Sequence, residues 1–368
     1  MPAIRKILFV FGTRPEAIKL CPLIRELRAR GGVATPVCVT GQHGALLHQV
    51  LALFQLRPDY DLALMRPEQS PGELTAACLT GLAPILQRER PDLVLVHGDT
   101  ASAFSAALAA FYAGIPVGHV EAGLRTYDLA APYPEEFFRQ TIDRLCLWAF
   151  APTEAARDNL LREGMDPARI FVTGNTGLDA LRFTVAEDFA HPLLDWCGPR
   201  RLILLTAHRR ESLGAPLAEI FQAVRQLADS REDIAILYPV HPNPRIGPAA
   251  EALLGGHPRI RLTAPLTVAE FHNLLARCCL VLTDSGGVQE EAAALHRPAL
   301  VLRDKTERPE GVAAGGLAVV GRSAPEILAA SQALLDSPEA YSAMCRAENP
   351  FGDGFASRRI ADALLQDA

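Results

Sequence analysis

The feature that most constrains this chain is a rhythm. Short runs rich in Val, Leu and Ile, such as Ile7-Leu8-Phe9-Val10 and Leu93-Val94-Leu95-Val96, are each closed by Gly, Pro or a polar residue. An Ala/Leu-rich stretch of helical length then follows. A strand that is apolar at successive positions has both faces to cover, which is the condition of a parallel sheet whose crossover helices lie on either side. The rhythm predicts strands at about 6–11, 36–40, 93–97, 116–120, 147–151, 169–173, 201–206, 234–240, 259–263, 279–283, 299–302 and 317–320. So many strands in 368 residues favour two doubly wound α/β domains, with a single closed barrel as the alternative. Leu181 to Arg200, with Glu187, Asp188, Pro192, Gly198 and Pro199, reads as the linker region.

Composition excludes several classes. Hydrophobic residues at 49% and charged residues at 21% describe a globular chain with sizeable cores. Lys plus Arg number 36 against 42 Asp plus Glu, and the net charge of −6 argues against a nucleic-acid or anionic-membrane footprint. An anionic ligand must therefore be met by local positive charge. The eight cysteines include no C-x-x-C pair, so neither a zinc ribbon nor a disulfide scaffold is indicated and a reducing cytoplasm is expected. No apolar run has the length of a signal peptide core or a membrane span.

In open parallel sheets the ligand lies beyond the carboxyl ends of the strands, and the residues there are polar in this sequence. The first strand runs into Gly12-Thr13-Arg14-Pro15-Glu16. There, exposed amides at a helix start, with Arg14 and Lys19, make a candidate anion site. The next strand ends bring His97, Asp99, His119 and Glu121, two carboxylates and two histidines able to serve as acid and base in one crevice. Glu135 and Arg139 stand one helical turn apart and are spaced to pair. In the second half His208-Arg209-Arg210 suits a departing phosphate. Ser285-Gly286-Gly287 opens a helix with carboxylates one turn later, suiting a phosphate and ribose hydroxyls. Asp59-Tyr60-Asp61 reads as a solvated loop. No metal-ligand spacing and no nucleophile elbow occurs, so no metal site is expected. The residues alone describe a two-domain nucleotide-binding enzyme with carboxylate and histidine acid–base groups.

Taken together the motifs resemble one family, the non-hydrolysing bacterial UDP-N-acetylglucosamine 2-epimerases. The matching pieces include FGTRPEAIK (11–19), VHGDT (96–100), PVGHVEAGLRT (116–126), AHRRES (207–212), YPVHPNP (238–244), LTDSGGVQEE (282–291), TERPE (306–310) and NPFGDG (349–354), and they span nearly the whole chain. The resemblance implies a GT-B architecture, two Rossmann-like doubly wound domains with the active site in the cleft between them. The domains would cover 1–175 and 176–354, with a helix at 355–368 returning to the first. It implies reversible interconversion of UDP-N-acetylglucosamine and UDP-N-acetylmannosamine in a cytoplasmic homodimer, with no cofactor. The route is elimination of UDP to 2-acetamidoglucal and re-addition. A hydrolysing epimerase and a GT-B glycosyltransferase remain the alternatives.

By the same resemblance Asp99, Glu121 and Glu135 serve the proton transfers, His208 assists departure of UDP, and Arg139 orients the glutamate or the sugar. Arg14, Lys19, Ser285, Gly286, Gly287 and Arg308 hold the diphosphate, Glu291 the ribose, and Phe271 with the Leu266 backbone the uracil. Gln42, His43 and His241 correspond to a second, activating UDP-N-acetylglucosamine site. Ala45 and Glu68 stand where that site usually has a glutamine and an arginine, so weakened activation is expected. Phe137-Phe138 replace a usual Ala-Asn.

Overall fold

A computed structural model describes residues 4–42, 44–66, 69–130, 132–209 and 212–365; the side chain of Ala45 also lies outside it. The chain forms two compact units, residues 1–182 with 352–368, and residues 183–351. The first holds β1 (Ile7–Phe11), α1 (Arg14–Arg30), β2 (Val37–Val39), α2 (Gly44–Leu53), β3 (Tyr60–Asp61), α3 (Pro71–Glu89), β4 (Leu93–His97), α4 (Ala101–Tyr112), β5 (Val117–Val120), α5 (Glu135–Leu145), β6 (Trp148–Ala151), α6 (Glu154–Arg162), β7 (Ile170–Val172) and α7 (Thr176–Thr184). Its strands are all parallel in the order β3-β2-β1-β4-β5-β6-β7. Residues of β1 are buried on both faces, as the unbroken apolar run requires. The core sets Leu8, Val10, Val94 and Val96 against Ala103, Ala106, Ala107 and Ala110 of α4, whose small side chains bring that helix close to the sheet.

The second unit holds α8 (Pro192–Cys197), β8 (Arg201–Thr206), α9 (Ala215–Ser230), β9 (Ile234–Pro239), α10 (Gly247–Leu254), β10 (Ile260–Thr263), α11 (Val268–Arg277), β11 (Leu280–Thr283), α12 (Gly286–Ala294), β12 (Ala299–Val301), α13 (Pro309–Ala313), β13 (Leu317–Val319), α14 (Ala324–Asp336) and α15 (Pro338–Cys345). Its parallel strands run β10-β9-β8-β11-β12-β13. Both sheets are Rossmann-like, and in each the strand order reverses beside the first strand, between β1 and β4 and between β8 and β11. That reversal opens a crevice at the carboxyl ends, where the crossover helices leave toward opposite faces.

Two expectations are corrected. The boundary falls at 182/183, inside α7, and not at 175/176; the first unit resumes at Gly352. The reason lies in Asp179 of α7, whose carboxylate accepts the N–H groups of Ala356 (3.0 Å) and Ser357 (2.5 Å) at the start of α16 (Ala356–Leu365). Arg30 of α1 also bridges Asp362 at 2.6 Å, so α16 packs on the first unit. Secondly, Tyr60-Asp61 is not a loop but the edge strand β3, paired with Cys38 and Val39 and held by the Val37 N–H donated to Asp59 Oδ2 (2.8 Å). A two-residue strand carries no periodicity to detect.

Candidate active site

In the first unit the groups gather at the carboxyl ends of β1, β4 and β5. Gly12 follows β1 where a Cβ would lie 2.1 Å from Thr40 Oγ1 and 2.3 Å from Ser102 Oγ, so only glycine lets the turn close. Thr13 caps α1 in a capping box with Glu16. Buried Glu16 accepts the Gly12 and Thr13 N–H groups (3.0 and 2.7 Å) on one oxygen and the Thr100 hydroxyl (2.8 Å) on the other. Burial raises its carboxyl above the ordinary range, against the hydrogen bonds that lower it. This corrects the reading of those amides as open to an anion: the chain's own carboxylate occupies them, and through Thr100 it ties the β1 turn to the loop carrying Asp99. Arg14 is the half-buried first residue of α1.

Asp99 is ion-paired with Arg139 of α5, and Arg139 also meets Glu136 at 3.5 Å. The anticipated Glu135–Arg139 spacing is thus superseded: the arginine turns to Asp99 and to the i−3 glutamate. Glu136 is fully buried and accepts the Thr126 and Tyr127 N–H groups (3.1 and 3.0 Å), anchoring the loop before α5. Glu135 occupies the first, half-buried position of that helix. Phe138 is buried against Phe104, with ring centroids 4.8 Å apart, whereas Phe137 is largely exposed.

Glu121 sits just past β5 at φ +69°, a left-handed backbone costly for a residue with a Cβ. Its carboxylate pairs with Lys19 of α1 and lies 3.5 Å from His97 Nε2. His97 is buried with neither ring nitrogen hydrogen-bonded, and burial lowers its pKa from the usual value. The second histidine does not face this crevice. His119 is fully buried, its nitrogens meeting Asp143 Oδ1 (2.6 Å) and the Gly98 carbonyl (2.8 Å), so it braces the Gly98-Asp99 turn from beneath. Burial alone would raise the Asp143 carboxyl, but His119 and Arg125 hold it below the carboxylate range. Gln42 accepts the Ser102 hydroxyl (3.1 Å); His43 and Glu68 lie outside the described residues.

In the second unit the equivalent crevice is built around Asp284, a residue the motif contained but to which no role was attached. It is fully buried after β11, and Oδ2 accepts the N–H groups of His208 and Arg209, each at 2.8 Å. Its other oxygen has no hydrogen-bond partner and lies 3.6 Å from His208 Nδ1. The His208 ring stacks on His241 with centroids 4.9 Å apart and planes 5° from parallel. Burial lowers the His241 pKa against the pull of Asp284.

Ser285 caps α12 without using its hydroxyl on the helix. A methyl placed on Gly286 would sit 3.4 Å from Arg308 Cζ and 3.6 Å from Arg209 Nη2, so two guanidiniums converge on this helix start. Above Gly287 the space is open. Arg308 is held by Glu290 at 2.5 Å. Glu307, despite burial, is held near a pKa of about 2 by Arg308, Arg303 and Arg209. Helix amides, a free hydroxyl and paired arginines form an anion site suited to a diphosphate. Arg209 stood in the sequence beside His208 as a phosphate candidate, but its convergence with Arg308, 99 positions later (308 − 209), is a through-space fact. Arg210 lies outside the described residues.

Beyond the anion site, Glu291 Oε1 lies 3.5 Å from His272 Nε2, and buried His272 is fixed by Thr184 Oγ1 at 2.7 Å. Phe271 presents its ring edge-on to His272, and Leu266 immediately precedes the α11 cap Thr267. Among the described residues no group of three His, Cys, Asp or Glu side chains is arranged to hold a metal, and no helix is long and apolar enough to cross a membrane.

Residues 25–365 match the profile of the family described as UDP-N-acetylglucosamine 2-epimerase. A Bacillus subtilis protein named UDP-N-acetylglucosamine 2-epimerase is 49% identical over 360 residues, covering 98% of this chain and 95% of the relative. The crystal structure of a putative UDP-N-acetylglucosamine 2-epimerase from Listeria monocytogenes superposes with a TM-score of 0.96 at 48% identity, covering 100% of this chain and 98% of that one. The Neisseria meningitidis UDP-GlcNAc 2-epimerase, solved bound to UDP-GlcNAc, gives a TM-score of 0.91 at 42% identity over 98% of this chain and 100% of that one. Two Rossmann-like parallel sheets make up the GT-B fold these structures share, and the chain belongs to the UDP-N-acetylglucosamine 2-epimerase family.

Proposed function

We propose that the protein is a non-hydrolysing epimerase that interconverts UDP-N-acetylglucosamine and UDP-N-acetylmannosamine at carbon-2. The observation that carries this reading is the convergence of Arg209 and Arg308 on the Gly286 helix start beside His208, a site for a departing diphosphate. Within the first unit two carboxylates are already paired with cations, Asp99 with Arg139 and Glu121 with Lys19. A base takes the carbon-2 proton as the bond from carbon-1 to UDP oxygen breaks, leaving 2-acetamidoglucal and UDP. A proton then returns to the opposite face of carbon-2 while UDP oxygen bonds carbon-1 again, so atoms and charge balance and no redox step occurs. Asp99, Glu121 and Glu135 supply the acid and base; Ser285, Gly286, Gly287, Arg308, Arg14 and Lys19 stabilise the diphosphate; His208 protonates or steadies UDP. Arg139 holds Asp99, Glu291 takes the ribose, and Phe271 with the Leu266 backbone covers the uracil.

Proton NMR of the protein with UDP-N-acetylglucosamine in deuterated water tests this. Nucleotide-linked N-acetylmannosamine carrying deuterium at carbon-2 is the expected product. Free N-acetylmannosamine with UDP would make it a hydrolysing relative, and UDP binding without exchange would make it a transferase or a sensor.

The product is proposed to supply N-acetylmannosamine units for cell-surface polysaccharide from the cytoplasm. A homodimer is proposed as well, supported by the exposed Phe111, Tyr112 and Phe137 on α4 and α5, with light scattering on a sizing column as its check. Gln42 and His241 remain for an activating nucleotide, but with Ala45 and Glu68 in the places noted above a hyperbolic substrate curve is expected. A sigmoidal one would refute that.

A further inference from the structure

The second unit carries a cavity of about 350 Å³ at the end of its sheet opposite the phosphate turn. Four arginines line it: Arg200, Arg201, Arg277 and Arg297. They stand at the amino ends of β8, β11 and β12, whereas His208 and Ser285 lie at the carboxyl ends. The six residues of β8, at roughly 3.3 Å each, separate the two ends by close to ~17 Å. No carboxylate lines the cavity. Among the described residues none of the four arginines forms an ion pair, whereas Arg125, Arg231, Arg303, Arg308, Arg322 and Arg359 all do. Asp233, whose carboxyl feels the Arg201 charge, is already bridged by Arg231 at 2.9 Å.

Three of the four guanidiniums are held in place by neutral groups. Arg277 donates to the Ala186 and Glu187 carbonyls (2.7 and 2.9 Å), Arg201 donates to the Leu335 carbonyl (3.1 Å) and lies over the Tyr341 ring, and Arg200 donates to the Cys197 carbonyl (3.3 Å). Carbonyls orient these forks without neutralising them. Arg297 Nε is buried with no hydrogen-bond partner at all, which is costly for a charged group unless a ligand completes it. The lining thiols add no counter-charge, since burial pushes Cys279 up to about 11 and Cys278 higher still. A chain of net charge −6 that gathers four unneutralised arginines at one cavity has concentrated positive charge there.

We propose that this cavity is a second anion site, separate from the substrate site, that takes a small phosphate-bearing anion. Guanidinium forks match the tetrahedral oxygens of phosphate, and the volume lies at the lower end for ligand pockets, too small to enclose a nucleotide sugar. The shared chemistry is a phosphate group, which arrives as free inorganic phosphate or as a sugar phosphate.

The test is isothermal titration of the full-length protein, saturated with UDP so that the substrate site is filled, with inorganic phosphate and separately with glucose 6-phosphate. One-site binding of either probe is expected, the tighter of the two identifying the source. Arg297→Gln and Arg200→Gln should each weaken it at least tenfold. Arg200 is exposed, so its variant keeps the fold; unchanged affinity for UDP and an unchanged melting temperature confirm that for both. Absence of binding by both probes to the UDP-saturated wild type would overturn the proposal, and so would equal binding by folded variants.

Discussion

Removing the Asp284 carboxylate should unfasten the His208 turn, and the cost can be worked from its contacts. One oxygen of this fully buried side chain accepts two backbone N–H groups at 2.8 Å each. In Asp284→Ala both amides lose their acceptor. At about 1–3 kcal/mol for each buried donor left unmade, less the relief of no longer desolvating a carboxylate, the net loss is about 3 kcal/mol. For a unit of this size that is a melting temperature lower by roughly 6–12 °C. Asp284→Asn keeps one oxygen able to accept both amides, so its loss should be about 1 kcal/mol, or roughly 2–4 °C. Because His208 is positioned through this contact, carbon-2 exchange should fall about 100-fold in the alanine variant and less than tenfold in the asparagine one. Differential scanning calorimetry with NMR exchange rates under saturating substrate provides both readings, and partial rescue by asparagine separates positioning from bulk destabilisation. If alanine leaves exchange within twofold of wild type, Asp284 does not organise the turn. If asparagine is as damaging as alanine, the charge and not the pair of hydrogen bonds is what matters.

Asp99→Asn and Glu121→Gln should each lower turnover by about two orders of magnitude or more with UDP affinity within a few-fold of wild type, read by titration beside kinetics; parallel losses of binding and rate would assign them to positioning. Gly12→Ala must displace Thr40 or Ser102 and break their 2.7 Å hydrogen bond, which should cost about 1–3 kcal/mol and show as a lower denaturation midpoint. His97 has a folded pKa lowered by burial from 6.5, so the folded state binds fewer protons than the unfolded one, and stability present above that value is lost as pH falls through it toward the lowered pKa. His97→Gln should make the urea midpoint less sensitive to pH between about 7.5 and 5.5, and an unchanged slope would mean that His97 titrates normally.

The central strands were legible because each is a run of apolar residues buried on both faces, as in β1, β4 and β11, and hydropathy records that burial directly. β3 escaped because a two-residue edge strand is defined by its pairing with β2 and not by its own residues. The candidate site was legible to the extent that its residues stand immediately after strands, where a parallel sheet presents them. His119 shares that placement with Glu121 but is turned under the Gly98 carbonyl, a distinction of side-chain direction that position along the chain does not carry.

By itself the sequence determined the architecture: alternating strands and amphipathic helices, glycine at the β1 turn, capping boxes at Thr13, Ser70 and Thr267, and the loops that carry chemistry. These depend on periodicities of two and about 3.6 residues and on turn geometry, all of them local. Only the tertiary structure decided which charges meet. Glu16 took the Thr100 hydroxyl from the loop after β4, Arg139 turned to Asp99, and Arg209 met Arg308 over Gly286. Asp179 drew the boundary between the units into α7. Apart from the two arginines, which repel and are brought together by the loops that carry them, each is a pairing between elements far apart in the chain, selected by the cost of leaving a buried charge or amide without a partner, and that cost exists only once the fold has removed the water.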